Sequence, residues 1–149
     1  MASFKTIIEK LELFTEQHLQ LNDFDWGNPD NITTKDHTFP MLFAAPVPGN
    51  INGSLVTLRF DLYILDLEAQ DFSNLLTIMN ETLFIGNDII TEFFEEQDGE
   101  LFNFSAENVS VTPFEAKFGD HCAGWIFNVE ITLTANSCYD EIPKITGTP

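Results

Sequence analysis

Hydrophobic and polar positions change period several times along the chain, and each change marks an element. Phe4, Ile7, Ile8, Leu11, Phe14 and Leu19 recur at helical spacing over residues 3–21, with Glu9, Glu12 and Glu16 on the other side and Ser3 placed to cap the first turn. The pattern predicts an amphipathic helix packed on a sheet. Residues 22–37 lose that period: Asn, Asp, Gly, Pro and Thr crowd the segment, which reads as a surface loop with Trp26 pinned to the body. Residues 38–45 give a short strand, with Pro40 at its start or on a sheet edge. Turn residues fill 46–53 and predict a connection. The cleanest alternation follows: Val56, Leu58, Phe60, Leu62 and Ile64 interleave with Thr57, Arg59, Asp61 and Tyr63, a strand with one buried face.

Helical spacing returns with Phe72, Leu75, Leu76, Met79, Leu83, Ile89, Ile90, Phe93 and Phe94. Asp71 is the predicted cap, and Gly86-Asn87 is placed to kink or break the helix midway. Its end is crowded by Glu92, Glu95, Glu96, Asp98 and Glu100, where the macrodipole disfavours negative charge. Short strands are expected at 101–104, 109–114 and 123–134, with a turn over 115–120 and an irregular arm over 136–149. In the last strand Trp125, Phe127, Val129, Ile131 and Leu133 form the apolar row. The order α, β, β, α, then a β-meander, predicts one α+β domain over residues 1–135. Its sheet is mostly antiparallel, with the N-terminal helix and the long central helix on one face.

Composition narrows what such a domain can do. Of 149 residues, 24 are acidic and 6 basic, for a net charge of −18, while 44% are hydrophobic, including 15 Phe. That apolar content suits a folded core rather than an acidic disordered tail. The charge balance disfavours gripping phosphate backbones or anionic membrane surfaces, both of which call for Lys and Arg. No window approaches a membrane span, and acids from Glu9 onward argue against a secretory signal. Cys122 and Cys138 cannot make a disulfide framework; they could pair once, but without an export signal free thiols are the expectation.

Candidate chemistry is sparse. Asp23 to Asp30 suggests a calcium loop, but Gly27, Asn28 and Thr34 stand where the EF-hand template needs Asp or Asn, Gly, and Glu. His18, His37 and His121 accompany no nucleophile elbow, and phosphate-binding glycine loops are absent. His121-Cys122 with Cys138 lacks the paired spacing of a zinc site. No catalytic residue, metal or cofactor is therefore expected. An enzyme would have to work through His37 or His121.

One resemblance covers nearly the whole chain. The leading helix is followed by Asp25-Trp26-Gly27, Phe39-Pro40-Met41-Leu42 and the long strand ending in Leu65-Asp66-Leu67. Then come the acidic-edged helix, Phe114-Glu115-Ala116-Lys117-Phe118, Ala123-Gly124-Trp125 and Cys138-Tyr139-Asp140. In order and texture this resembles the tail-terminator, tail-completion and head-to-tail connector proteins of tailed bacteriophages. The resemblance implies a virion protein, made in the host cytoplasm, that forms a homo-oligomeric ring. The ring would meet portal, connector or tail proteins, and DNA would pass through it without specific binding. Expected contact residues are Pro46, Val47, Pro48, Asn50, Ile51 and Asn52 in the 46–54 loop, with Tyr139, Ile142 and Pro143 in the arm. Glu92, Glu95, Glu96, Asp98 and Glu100 are the candidate lumenal edge, since carboxylates repel the duplex and let it slide. The alternative is an acidic binding module or DNA-mimic inhibitor acting on a basic protein.

Overall fold

A computed structural model describes residues 3–33, 36–95, 103–104, 109–118 and 121–134. Helix α1 (Phe4–Gln17) starts as expected, with Ser3 Oγ accepting from the Thr6 amide at 3.2 Å. It ends earlier than its pattern suggested. His18 is extended and Leu19 is fully exposed, so Leu19 belongs to the exit and not to the apolar stripe.

The loop expected over 22–37 contains a strand. β1 (Asp23–Trp26) pairs in parallel with residues 41–44 of β2 (Met41–Asn52). Aspartates there read as turn formers, yet Asp23 and Asp25 accept backbone amides: Asp23 from Phe24 and Thr38, Asp25 from Trp26. A short 3-10 turn (Pro29–Asn31) and a cis Phe39–Pro40 bond complete the link to β2.

The 46–53 connection is also strand. β2 runs on to Asn52 and pairs antiparallel with β3 (Leu55–Leu67), with a register shift between Val47 and Asn50. Gly49 makes the shift possible, because a side chain there would collide with the Thr57 carbonyl. The tip then closes through Gly53 at φ 62.

β6 (Cys122–Thr134) pairs with β3 along its whole length, Leu67 with Cys122 through Leu55 with Thr134. Beyond it lie β4 (Asn103–Phe104) and β5 (Ser110–Lys117), end to end on β6's other edge. The sheet order is therefore β1-β2-β3-β6 with β4 and β5 last. This is an α+β domain with a mostly antiparallel sheet, but not a simple meander. The chain crosses from β3 to the far edge through helix α2 (Leu75–Glu95) and returns to place β6 against β3.

α2 starts later than Asp71. That carboxylate caps only a local turn, accepting from the Ser73 amide. Asn74 clasps the connection instead: its Oδ1 accepts from Ala69 N at 2.7 Å and its Nδ2 donates to Leu67 O. The helix also passes through Gly86-Asn87 without a break. Gly86 is there for packing, because a Cβ would overlap the Phe127 ring.

Both helices cover one sheet face. Ile7, Ile8, Leu11 and Phe14 from α1, and Ile85, Ile89 and Phe93 from α2, close over Leu42, Phe60, Leu62, Ile64, Phe127, Val129 and Ile131. Trp125 Nε1 donates to the Met79 carbonyl at 2.8 Å and fixes α2 along β6. The second face holds a smaller cluster of Ile32, Met41, Phe43, Leu65, Phe114 and Cys122. Tyr63 makes edge contacts there with Phe43, Phe114 and Phe118.

Candidate contact surfaces

Residue by residue, the fold separates charge from apolar surface. On α2 the inward row is Ile78, Thr82, Ile85, Ile89 and Phe93, all buried. Thr82 is tolerated there because its hydroxyl donates back to the Ile78 carbonyl at 2.6 Å. The acids Glu81, Asp88 and Glu92 share one flank, at successive steps of seven and four positions. Asp88 on that flank accepts from His18 Nε2 at 2.9 Å, tying the end of α1 to α2.

The outward side of α2 is different. Leu76, Asn80, Leu83, Phe84, Asn87 and Thr91 fall in one stripe, opposite the buried row, and all six are exposed. Leu76 is 84% exposed and Phe84 61%. A surface helix ordinarily turns charge toward water on that side; this one turns Leu, Phe and amides. The signal was present in the sequence. Between Asp71 and Asp88 the only charged residue is Glu81, but helical spacing alone does not say which of Leu76 and Leu83 face the core, and it leaves Phe84 out.

The hairpin is the second such surface. No Asp, Glu, Lys, Arg or His occurs over residues 38–58. Pro46, Pro48, Asn50, Ile51 and Asn52 are exposed and Val47 is half-buried, all on a strand rather than a loop. Ile51 is 75% exposed and Leu55, across the tip, 43%. Among the described residues no strand pairs with the outer edge of β2 beyond Ala44. Prolines suit such an edge because they lack the amide a further strand would use.

Of the candidate lumenal edge, Glu92 is half-exposed in the last turn of α2, and Glu95 ends the helix. Glu96, Asp98 and Glu100 lie outside the described residues, as do Tyr139, Ile142, Pro143 and Cys138.

The titratable groups sit elsewhere and serve the fold. His37 links the 3-10 segment to β1: Nδ1 faces the Thr33 carbonyl at 2.9 Å and Nε2 faces Asp25 Oδ2 at 3.1 Å. The doubly protonated ring donates to both of these acceptors, while the Thr33 amide lies farther from Nδ1, at 3.4 Å. Burial works against that charge, but the Thr33 bond, the Asp25 bond and the Asp23 charge outweigh it and raise the pKa above 6.5. Burial raises the Asp66 carboxyl, opposed by its bond from Leu67 N and reinforced by Glu81. Cys122 is a buried free thiol pushed up to about 12 by burial and by Asp66 and Glu68. His121 is exposed in the turn before β6. His37 and His121 therefore sit in different settings, and Cys122 is placed as a core side chain. Among the described residues no cluster of three or more His, Cys, Asp or Glu could hold a metal ion. No helix among them is long and apolar enough to cross a membrane.

On the second sheet face, Arg59 Nε donates to Glu130 at 3.2 Å and Asn128 Nδ2 to Asp61 at 2.8 Å. Arg59 offsets the charge of Glu130, and the Asn128 amide satisfies one oxygen of Asp61. No protein-family model matches the chain, and no curated protein matches it.

Proposed function

We propose that this chain is a structural subunit of a homo-oligomeric ring, of the connector, stopper or tail-terminator kind found at the head–tail junction or tail of phage virions. In this reading the chain does no chemistry of its own and DNA passes through the ring unbound. The observation that carries it is the outward face of α2, where Leu76, Leu83 and Phe84 are exposed, with Glu81 and Asp88 one turn either side of Phe84, on a chain of net charge −18. Contiguous exposed apolar surface marks a contact site. A strongly charged chain keeps copies apart except where they can meet without bringing charge together. Acids at the end of α2 suit a conduit wall that duplex DNA slides along.

The test is the mass of the full chain in solution across salt and protein concentration. A closed ring gives one discrete multiple of 16.9 kDa, and added salt strengthens it by screening repulsion between like subunits. A strict monomer at every concentration, or in assembled particles, refutes the reading. The net charge also favours a second reading, an acidic module that mimics DNA toward a basic protein. That complex would weaken with added salt, so the sign of the salt effect separates the two.

A further inference from the structure

We infer that Asn52 is a site of spontaneous covalent modification. Its side-chain amide is lost as ammonia through attack by the Gly53 backbone nitrogen, leaving an aspartyl or isoaspartyl residue at the tip of the β2–β3 hairpin. The inference stands on the hairpin alone and holds whether or not copies of the chain assemble.

Asn52 is the one asparagine in the sequence followed by glycine. That neighbour matters because the attacking atom is the next residue's backbone nitrogen, which a side chain on that residue screens. Gly53 has none, and a Cβ there would meet nothing within 4 Å, so the space around the nitrogen is open. Its hydrogen is also uncommitted to the sheet. Asn52 pairs with Leu55, and a closing pair exchanges its own amides and carbonyls. Gly53 and Ser54 are left as a two-residue turn, with Gly53 at φ 62.

The fold supplies the remaining requirement, which is motion. Extended backbone at Asn52 holds the Gly53 nitrogen away from the side chain, so attack waits on opening of the tip pair. Every residue from Pro48 to Leu55 is exposed, so opening the tip uncovers no buried side chain. Local openings of that kind cost far less than global unfolding.

Water is the one co-reactant. The Gly53 nitrogen gives its proton to solvent base and bonds to Cγ of Asn52. The Cγ–Nδ2 bond breaks, and Nδ2 leaves with a proton from solvent as ammonia. Water then opens the cyclic imide at either carbonyl. One opening restores the normal backbone; the other routes the chain through Cγ and lengthens it by a methylene. Either product brings a carboxylate into the 38–58 stretch, which carries no charged side chain. The lengthened form also disturbs the pairing of Asn52 with Leu55.

The experiment holds the full-length chain folded in mildly alkaline buffer made with heavy-oxygen water, beside a guanidinium-unfolded sample. Near-UV circular dichroism shows that the first sample keeps its packing throughout. Tryptic peptides are then read by mass spectrometry with electron-transfer fragmentation, which separates Asn50 from Asn52 and aspartyl from isoaspartyl. The heavy oxygen marks conversion during incubation rather than during digestion, and an Asn52→Asp chain provides the aspartyl reference. Position 52 of the folded chain should yield both isomers, about tenfold or more faster than any other asparagine converts. No conversion at 52 in the folded chain overturns the inference, whatever the unfolded sample does. Faster conversion at another asparagine overturns the selection of Asn52, and an aspartyl product alone overturns the route through Gly53.

Discussion

Gly86→Ala sets two well-measured effects against each other at one position. Gly86 lies in the middle of α2 and is buried. Helix propensity alone favours Ala over Gly by about 1 kcal/mol, so the substitution should stabilise an unobstructed helix. Here the added methyl would overlap three ring carbons of Phe127. Phe127 is 3% exposed and packed between the sheet and the helix, so the ring cannot swing into solvent. Overpacking of that kind costs about 1–3 kcal/mol, and an overlap with several atoms of a confined ring belongs at the upper end. The net expectation is a loss of about 2 kcal/mol, or roughly 4–8 °C in Tm for a chain of this size.

Urea denaturation followed by Trp fluorescence measures it, read as a change in midpoint at constant slope. The partner variant Phe127→Leu shortens the ring and opens the space. In that background Gly86→Ala should become neutral or stabilising, with a coupling of at least about 1 kcal/mol between the two sites. A Gly86→Ala single variant as stable as the parent, or more so, would refute the close seating of α2 on β6.

The remaining expectations are smaller. Since the folded His37 pKa is raised, its charge contributes stability fully below the unfolded value of about 6.5, and that contribution is lost as pH rises through the folded value. His37→Asn should therefore flatten the fall in stability as pH rises above about 6.5, and a proton NMR titration of His37 with a midpoint below that of a free histidine would contradict the assignment. Cys122, held near 12, should resist iodoacetamide at pH 8 in a Cys138→Ser background, with alkylation tracking global unfolding; rapid labelling of the native chain would place the thiol at the surface. Trp125→Phe removes the hydrogen bond to the Met79 carbonyl and should cost about 0.5–1.5 kcal/mol in denaturant titrations, with no loss expected if that bond is absent in solution.

Period-two and period-3.6 patterns located the elements that bury one face. The alternation in β3 and β6 and the stripe in α1 correspond to real core positions because each element has one wet side and one dry side. Three features were illegible for physical reasons. β1 is only four residues long and gains its place by parallel pairing with β2, a long-range contact that local chemistry does not announce. The distal half of β2 is rich in Pro, Gly and Asn because it is an edge and a bulge, and edge residues resemble turn residues in isolation. Gly86 looked like a breaker, since the need for a missing Cβ lies in Phe127, a residue far along the chain. The candidate contact residues are half legible: the hairpin set follows from its turn-like texture, whereas Leu76 and Leu83 fall in an apolar set that does not distinguish the two sides of a helix, and Phe84 falls outside that set.

Net charge belongs to the whole chain, but contact belongs to its faces, and here the two point in opposite directions. An even spread of acids would leave no surface on which two copies could meet without burying like charge. In this fold the acids of α2 share one flank, with His18 bound to Asp88, and those of the second sheet face are paired across strands with Arg59 and Asn128. Among the described residues, exposed apolar side chains include Leu76, Leu83 and Phe84 on the outward side of α2 and Ile51 and Leu55 at the hairpin tip. That segregation is costly for an isolated subunit, which leaves Leu76, Phe84 and Ile51 in water without compensation. It becomes favourable once those side chains meet, since apolar burial then acts where electrostatic repulsion is weakest. In the proposed ring, the same −18 that disfavours tight binding to phosphate would limit how copies of this chain join.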